Sequence, residues 1–275
     1  LKACFAPAIR RAWLTWQPSY RSALVMAEQP PPKRSRHAAG GAEDWESFRS
    51  SHTQGRFTDW LQLQAGEVWD AVVSHPFTDQ LADGTVDHDA MRRYLIQDHR
   101  FVDAFVVLLS SAVSKMRCLG DRIPGCQFLA VVTGKENTYF ERSFEALGVV
   151  PLDRASLPEE EVTTSFIRLM RASAASGELP RMLAVLVVAE WSYSSWGERV
   201  LPRAKPSLPF WCREWIDLHS GTAFAGVVEY LRSLLDKEGP SLSPSARSSC
   251  CEAFLEAVHL EKAFFDMALG VALAK

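Results

Sequence analysis

The sequence predicts an all-α protein. Three observations carry the prediction: apolar residues recur at helical spacing through long segments, proline-bearing stretches punctuate those segments, and no alternating pattern runs long enough for a sheet strand. No internal repeat is visible. Of 275 residues, 47% are hydrophobic, and 30 basic side chains stand against 33 acidic ones. That balance argues against a disordered chain and against a nucleic-acid protein. No apolar run reaches membrane-spanning length, and the nearest, Met182 to Ala189, is far too short. Beyond the first forty-odd residues about 230 remain, enough for one large helical core.

In chain order, residues 1–27 contain no acid but include Lys2, Arg10, Arg11 and Arg21. An organellar targeting peptide has this composition. A true start at Met26 is an equal alternative, and a first residue that is leucine suggests a truncated or conceptually translated upstream end. Pro30-Pro-Pro-Lys-Arg-Ser-Arg36 resembles a nuclear signal but is more often a solvated linker. Disorder is expected to about Gly41, so the chain divides into an extension over 1–43 and one helical domain over 44–275. The expected location is cytoplasmic, with organellar import if residues 1–25 act as a transit peptide.

A first helix is expected from Phe57 to Ser74. Pro76 fixes its own φ, lacks an N–H and biases His75 away from helix, so the helix stops there. Pro76 then suits the first turn of a short helix that Asp83-Gly84 ends, and Asp87 stands where an N-cap belongs before a long apolar pattern. That pattern runs through Asp98 to Met116. Tyr94, Asp98, Phe101 and Phe105 share one stripe of it, whereas His99 points about 100° away. Taken alone, the stripe reads more readily as a packed core face with Asp98 at its wet edge, because aromatics at this spacing are usually packing. Further helices are expected over Ile123–Leu147, Glu160–Ser176, Arg181–Val200, Phe210–His219, Thr222–Asp236 and Ala246–Leu273. Proline-punctuated loops over 148–158, 201–209 and 237–245 separate them.

His75-Pro76-Phe77, Asp83-Gly84-Thr85, Tyr94-Leu95 and Gln97-Asp98 together resemble the opening of the TenA family. Later segments agree in order and spacing: Gly177-Glu178-Leu179-Pro180 leading to Ala189-Glu190-Trp191-Ser192-Tyr193 and Gly197-Glu198, then Trp215-Ile216-Asp217, then Leu260-Glu261-Lys262-Ala263-Phe264-Phe265-Asp266-Met267. The resemblance covers roughly residues 56–272. It implies a haem-oxygenase-like helical bundle, a dimer or tetramer, and a place in thiamin-pyrimidine salvage. By this register Ala189 occupies the position of the nucleophilic cysteine of thiaminase-type members, which rules out thiol attack from there. Glu190 with Tyr193 is instead similar to the glutamate-bearing, plant-type subgroup without that cysteine. That subgroup hydrolyses formylaminopyrimidine and aminopyrimidine to 4-amino-5-hydroxymethyl-2-methylpyrimidine.

The residues suit such chemistry. Glu190 follows the apolar run Met182 to Ala189, where an unpaired charge is costly and the carboxyl pKa is pushed up toward a range useful for activating water. Pairing with an arginine is its alternative role. The resemblance places a second catalytic carboxylate at Glu261, one turn before Phe264 and Phe265; otherwise Glu261 belongs to an exposed charged face with Glu256 and Lys262. Two carboxylates facing one cavity can divide into an ionised base and a protonated acid. The resemblance assigns Asp98 to the aminopyrimidine edge, a donor edge that a carboxylate fits when the ring nitrogen is protonated. By register Phe101, Phe105, Phe166, Tyr193 and Phe264 are candidates to hold the ring faces. Phe166 and His219 stand where relatives carry tyrosine, which leaves room for an altered amine substrate.

Other chemistries are not supported. Cys4, Cys118, Cys126, Cys212, Cys250 and Cys251 form no Cys-x-x-Cys element, and vicinal Cys250-Cys251 on a helix is a poor structural disulfide. His75, His88, His99, His219 and His259 make no metal-ligand pairing with acids of the kind a bundle di-metal site needs. No phosphate loop or nucleophile elbow occurs. The expectation is a cofactor-free, metal-free hydrolase for a small aminopyrimidine, with a non-catalytic pyrimidine- or partner-binding protein of the same fold as the alternative.

Overall fold

The structure is a computed structural model that describes residues 43–271. Expectations for the targeting segment, the Met26 start and the basic linker lie outside the described residues. Helices α1 (Trp45–Ser51), α2 (Phe57–Val73), α3 (Pro76–Asp83), α4 (His88–Lys115), α5 (Leu119–Val131), α6 (Asn137–Ala146), α7 (Pro151–Ser156), α8 (Glu161–Ser176), α9 (Leu179–Val200), α10 (Phe210–Leu218), α11 (Gly221–Glu238) and α12 (Pro244–Ala268) follow in order. Among the described residues there is no strand.

Helix α9 is the axis of the bundle. Every side chain from Met182 to Val188 is buried, so this stretch is apolar all round, as a helix must be when other helices surround it. It packs against α12, α11, α4, α2 and α8, and α12 in turn packs against α2, α8 and α4.

The corner between α2 and α4 forms as its residues predict. Helix α2 ends at Ser74, and α3 opens on Pro76 with the His75 ring as its cap: Nδ1 accepts from the Phe77 N–H at 3.2 Å. The other ring nitrogen, Nε2, then carries the proton and donates to Asp266 Oδ1 at 3.1 Å, which ties α3 to α12. Gly84 closes α3 in the left-handed region at φ 64°. Asp87 Oδ1 accepts from the N–H groups of Asp89 and Ala90 at 2.9 and 3.2 Å, starting α4. Arg199, near the end of α9, donates to the Val73 carbonyl and the Thr78 hydroxyl, both at 2.8 Å, and so satisfies a helix-end acceptor of α2.

Three expectations change. The single helix over 123–147 is interrupted: residues Val132–Glu136 form a π-helical turn between α5 and α6, which inserts an extra residue without disturbing the apolar spacing on either side. The loop over 148–158 contains α7, begun by Pro151 at its first position. Helix α2 is kinked at Gly66, whose φ of 52° and ψ of −130° only glycine adopts freely.

Candidate active site

A cavity opens beside α9. Asp98, Phe101, Val102 and Phe105 line it from α4, Val132 and Glu136 from the π turn, Met170 from α8, Ala189, Glu190 and Tyr193 from α9, Trp215 and His219 from α10 and its cap, and Glu261 from α12. Helical spacing explains the α4 wall: positions 98, 101, 102 and 105 fall on one face. Gln97, the neighbour of Asp98, points elsewhere. Its amide donates to the Pro158 carbonyl at 2.8 Å and accepts from Thr163 Oγ1 at 2.9 Å, which anchors the chain entering α8. His99 also leaves the stripe, to meet Asn137 and Phe140 of α6.

The three carboxylates singled out from the sequence face this one space. Glu261 is 2% exposed, Asp98 5% and Glu190 9%. No lysine or arginine pairs with them among the described residues, so Glu190 has no arginine partner and Glu261 does not belong to an exposed charged face. Buried Oδ2 of Asp98 and Oε2 of Glu261 lack any hydrogen-bond partner. Burial raises all three pKa values well above the ordinary carboxylate range. Mutual repulsion adds to it: Glu136 acts on Asp98 and on Glu190, and Asp98 and Glu190 act on Glu261.

Aromatic groups set the rest of the geometry. Trp215 Nε1 donates to the Tyr94 hydroxyl at 3.2 Å, and that hydroxyl lies 2.8 Å from the Tyr193 hydroxyl. His219 Nδ1 is 2.9 Å from the Trp215 carbonyl. A carbonyl can only accept, so Nδ1 bears the proton and Nε2 carries the lone pair. Burial lowers the His219 pKa to about 4, which keeps the ring neutral.

Phe101, Phe105, Tyr193 and His219 stand on the cavity wall, but Phe166 and Phe264 do not line it. Both are fully buried one layer back, with ring centroids 5.5 and 5.2 Å from that of Phe101, which they hold in place. Both pack against Phe101, and Phe101 is the one of the three that lines the cavity. Two polar cavity residues escaped the sequence reading. Trp215 was visible only as part of a motif, and Glu136 carried no local signal, because only the π turn brings it to the wall. Glu136 has its carboxyl pushed up by burial to about 7.

The chain matches the TENA/THI-4/PQQC family over residues 63–270, the stretch that contains every cavity-lining residue. The chain belongs to the TENA/THI-4/PQQC family. Among its relatives, a protein named aminopyrimidine aminohydrolase from Halalkalibacterium halodurans is 24% identical over 214 residues, 77% of this chain and 95% of its own. A protein of the same name from Bacillus subtilis is 23% identical over 224 residues, 78% of this chain and 89% of its own. Solved TENA/THI-4/PQQC-like structures share the fold. A TenA family protein from Silicibacter sp. TM1040, described as a transcription regulator, superposes with a TM-score of 0.69 at 24% identity, covering 80% of this chain and 99% of its own. A TenA homologue from P. horikoshii OT3 gives 0.69 at 21% identity, covering 79% and 100%. No described helix is long and apolar enough to cross a membrane.

Proposed function

We propose that this family member is an aminopyrimidine aminohydrolase of the glutamate-bearing subgroup, acting in thiamin-pyrimidine salvage on formylaminopyrimidine and aminopyrimidine. One observation carries the proposal: Glu190 and Glu261 face one cavity together with Asp98, while the wall position beside Glu190 is Ala189, a methyl group. The names of the bacterial relatives support the same substrate class.

In the proposed reaction Asp98 receives the protonated aminopyrimidine edge and Phe101 and Phe105 enclose the ring. Because the two glutamates push each other's pKa values apart, one is ionised while the other holds a proton. The ionised carboxylate takes a proton from water as the water oxygen bonds to the carbon. The C–N bond breaks with its electron pair going to nitrogen, which receives the proton of the second carboxylic acid. On the formamide this releases formate and the amine; an amine substrate bound as its ammonium already carries that proton, so its nitrogen leaves as ammonia and the hydroxymethylpyrimidine is formed. Residues 44–275 form the catalytic domain in this proposal, and the dimer or tetramer implied by the family is checked by sedimentation.

The test is a chromatographic assay of the full chain on N-formyl-4-amino-5-aminomethyl-2-methylpyrimidine and its deformylated amine, with Glu190→Gln and Glu261→Gln in parallel. Wild type is expected to form the hydroxymethylpyrimidine and each variant to lose turnover by at least about a hundredfold, the scale of acid–base catalysis. Ligand binding without turnover in wild type would establish a non-catalytic pyrimidine-binding protein instead.

A further inference from the structure

The cavity holds four carboxylates, and no lysine or arginine lines it among the described residues. Its histidine donates Nδ1–H to the Trp215 carbonyl and adds an acceptor rather than a charge. Two of its lining residues, Asp98 and Glu261, each have one buried carboxylate oxygen, Oδ2 and Oε2, without a donor among the described residues. Four acids gathered without a cationic side chain favour an occupant that brings N–H groups and positive charge, because such a group offsets the burial that otherwise keeps them protonated.

The four acids are not equivalent. Asp98, Glu190 and Glu261 are buried on long helices, whereas Glu136 is half-buried and closes a π turn whose residues Thr133, Gly134 and Lys135 are exposed. Glu136 is thus the carboxylate on the solvent side. A helical residue advances by about 100°, so removing the extra residue of the π turn would swing Glu136 off the wall. The turn is what aims it inward.

We propose that Glu136 is a specificity residue that receives the ammonium group of a cationic arylmethylamine, so that the site favours an amine-bearing substrate over the neutral alcohol of the same shape. The ring part of this substrate rests on the aminopyrimidine function proposed above; the charge preference does not. Amine and alcohol differ little in size, and both can donate to a carboxylate, but only the ammonium brings a full positive charge and makes an ion pair with it. Conversion of one into the other removes the ion pair with Glu136 and so weakens the hold on the product.

The test is calorimetric binding to the full chain carrying Glu190→Gln, which suppresses turnover, with and without Glu136→Gln or the charge-retaining Glu136→Asp. The probes are 4-amino-5-aminomethyl-2-methylpyrimidine with its 5-hydroxymethyl counterpart, and benzylamine with benzyl alcohol. An amine-over-alcohol preference of about tenfold is expected, falling to near unity with Glu136→Gln and surviving in Glu136→Asp. A ratio that Glu136→Gln leaves unchanged, or no preference at the outset, would overturn the inference, and pyrimidine binding in that case would leave the proposed function standing. Preference for benzylamine without binding of either pyrimidine would support the role of Glu136 and sink the pyrimidine function. Binding of none of the four would overturn both.

Discussion

The Tyr193 hydroxyl lies 2.8 Å from the Tyr94 hydroxyl and ties α9 to α4 at the cavity wall. Trp215 can only donate, so its N–H occupies a lone pair of Tyr94 and leaves Tyr94 one proton for Tyr193 or for Asp98 beside it. Burial, with the neighbouring acids, raises both phenols well above their ordinary pKa, so they remain neutral donors.

Tyr193→Phe removes one end of this pair while keeping the ring. Unfolding in urea is expected to show a loss of about 1 kcal/mol, the net worth of one such hydrogen bond. Turnover should fall more than substrate affinity, because the ring still fills the wall. Full activity with unchanged stability would show that the hydroxyl pair is idle.

Thiol reagents should spare activity. Cys118 and Cys126 are exposed, Cys212 and Cys250 are buried with thiols pushed up to about 12, and no cysteine is among the cavity-lining residues. Iodoacetamide on the native protein is expected to modify the exposed pair first, as read by mass spectrometry, and to leave turnover intact. Inactivation in step with modification at any described cysteine would contradict a carboxylate mechanism.

Stability should fall as pH rises from mildly acid to mildly alkaline. Each cavity acid is protonated in the folded state above the pH at which it ionises when unfolded, so the folded chain holds more protons in that window and ΔG of unfolding decreases with pH. For Glu136 the window runs from about 4.5 to about 7; for Asp98, Glu190 and Glu261 it opens in the ordinary carboxylate range and extends well above it. His219 works the other way, since its pKa falls from 6.5 to about 4 and stability rises with pH between those values, and His75, lowered by burial, acts in the same direction, but four acids oppose two imidazoles. A melting-temperature series over this range should slope downward in wild type and less steeply in Glu261→Gln. A slope that Glu261→Gln does not change would mean that its folded carboxyl is ionised like any surface glutamate.

Gly197 is where α9 meets the corner after α10. A methyl group there would overlap the backbone carbonyl oxygen of His219, which cannot rotate away as a side-chain tip could. Gly197→Ala is expected to cost about 1–3 kcal/mol, the range for overpacking, and to displace the His219 ring from the wall. Gly134, with no atom near the same position, is the control, and Gly134→Ala should melt within a few degrees of wild type. Equal melting temperatures for the two variants would show that the corner yields.

Much of the fold was legible in the sequence because its signals are local. Pro76, Gly84 and Asp87 act on their own turns, so the stop of α2, the extent of α3 and the start of α4 could be placed from residue chemistry. The π turn could not be placed, since an inserted residue leaves the apolar spacing on each side intact. Part of the site was legible for a related reason: Asp98, Glu190 and Glu261 interrupt apolar helical faces, and an acid on such a face is conspicuous. Glu136 lies in a polar segment where one more acid is not.

By itself, then, the sequence determined most of the helices and their caps and singled out Asp98, Glu190 and Glu261 as candidates, because periodicity and capping depend on neighbours within one or two turns. The tertiary structure alone decided which of those groups share a cavity. Helix packing placed Phe101 at the wall and Phe166 and Phe264 behind it, and the rotation introduced by the π turn brought Glu136 to the mouth. Those positions depend on how separate helices dock, and no local pattern encodes the angle at which they do.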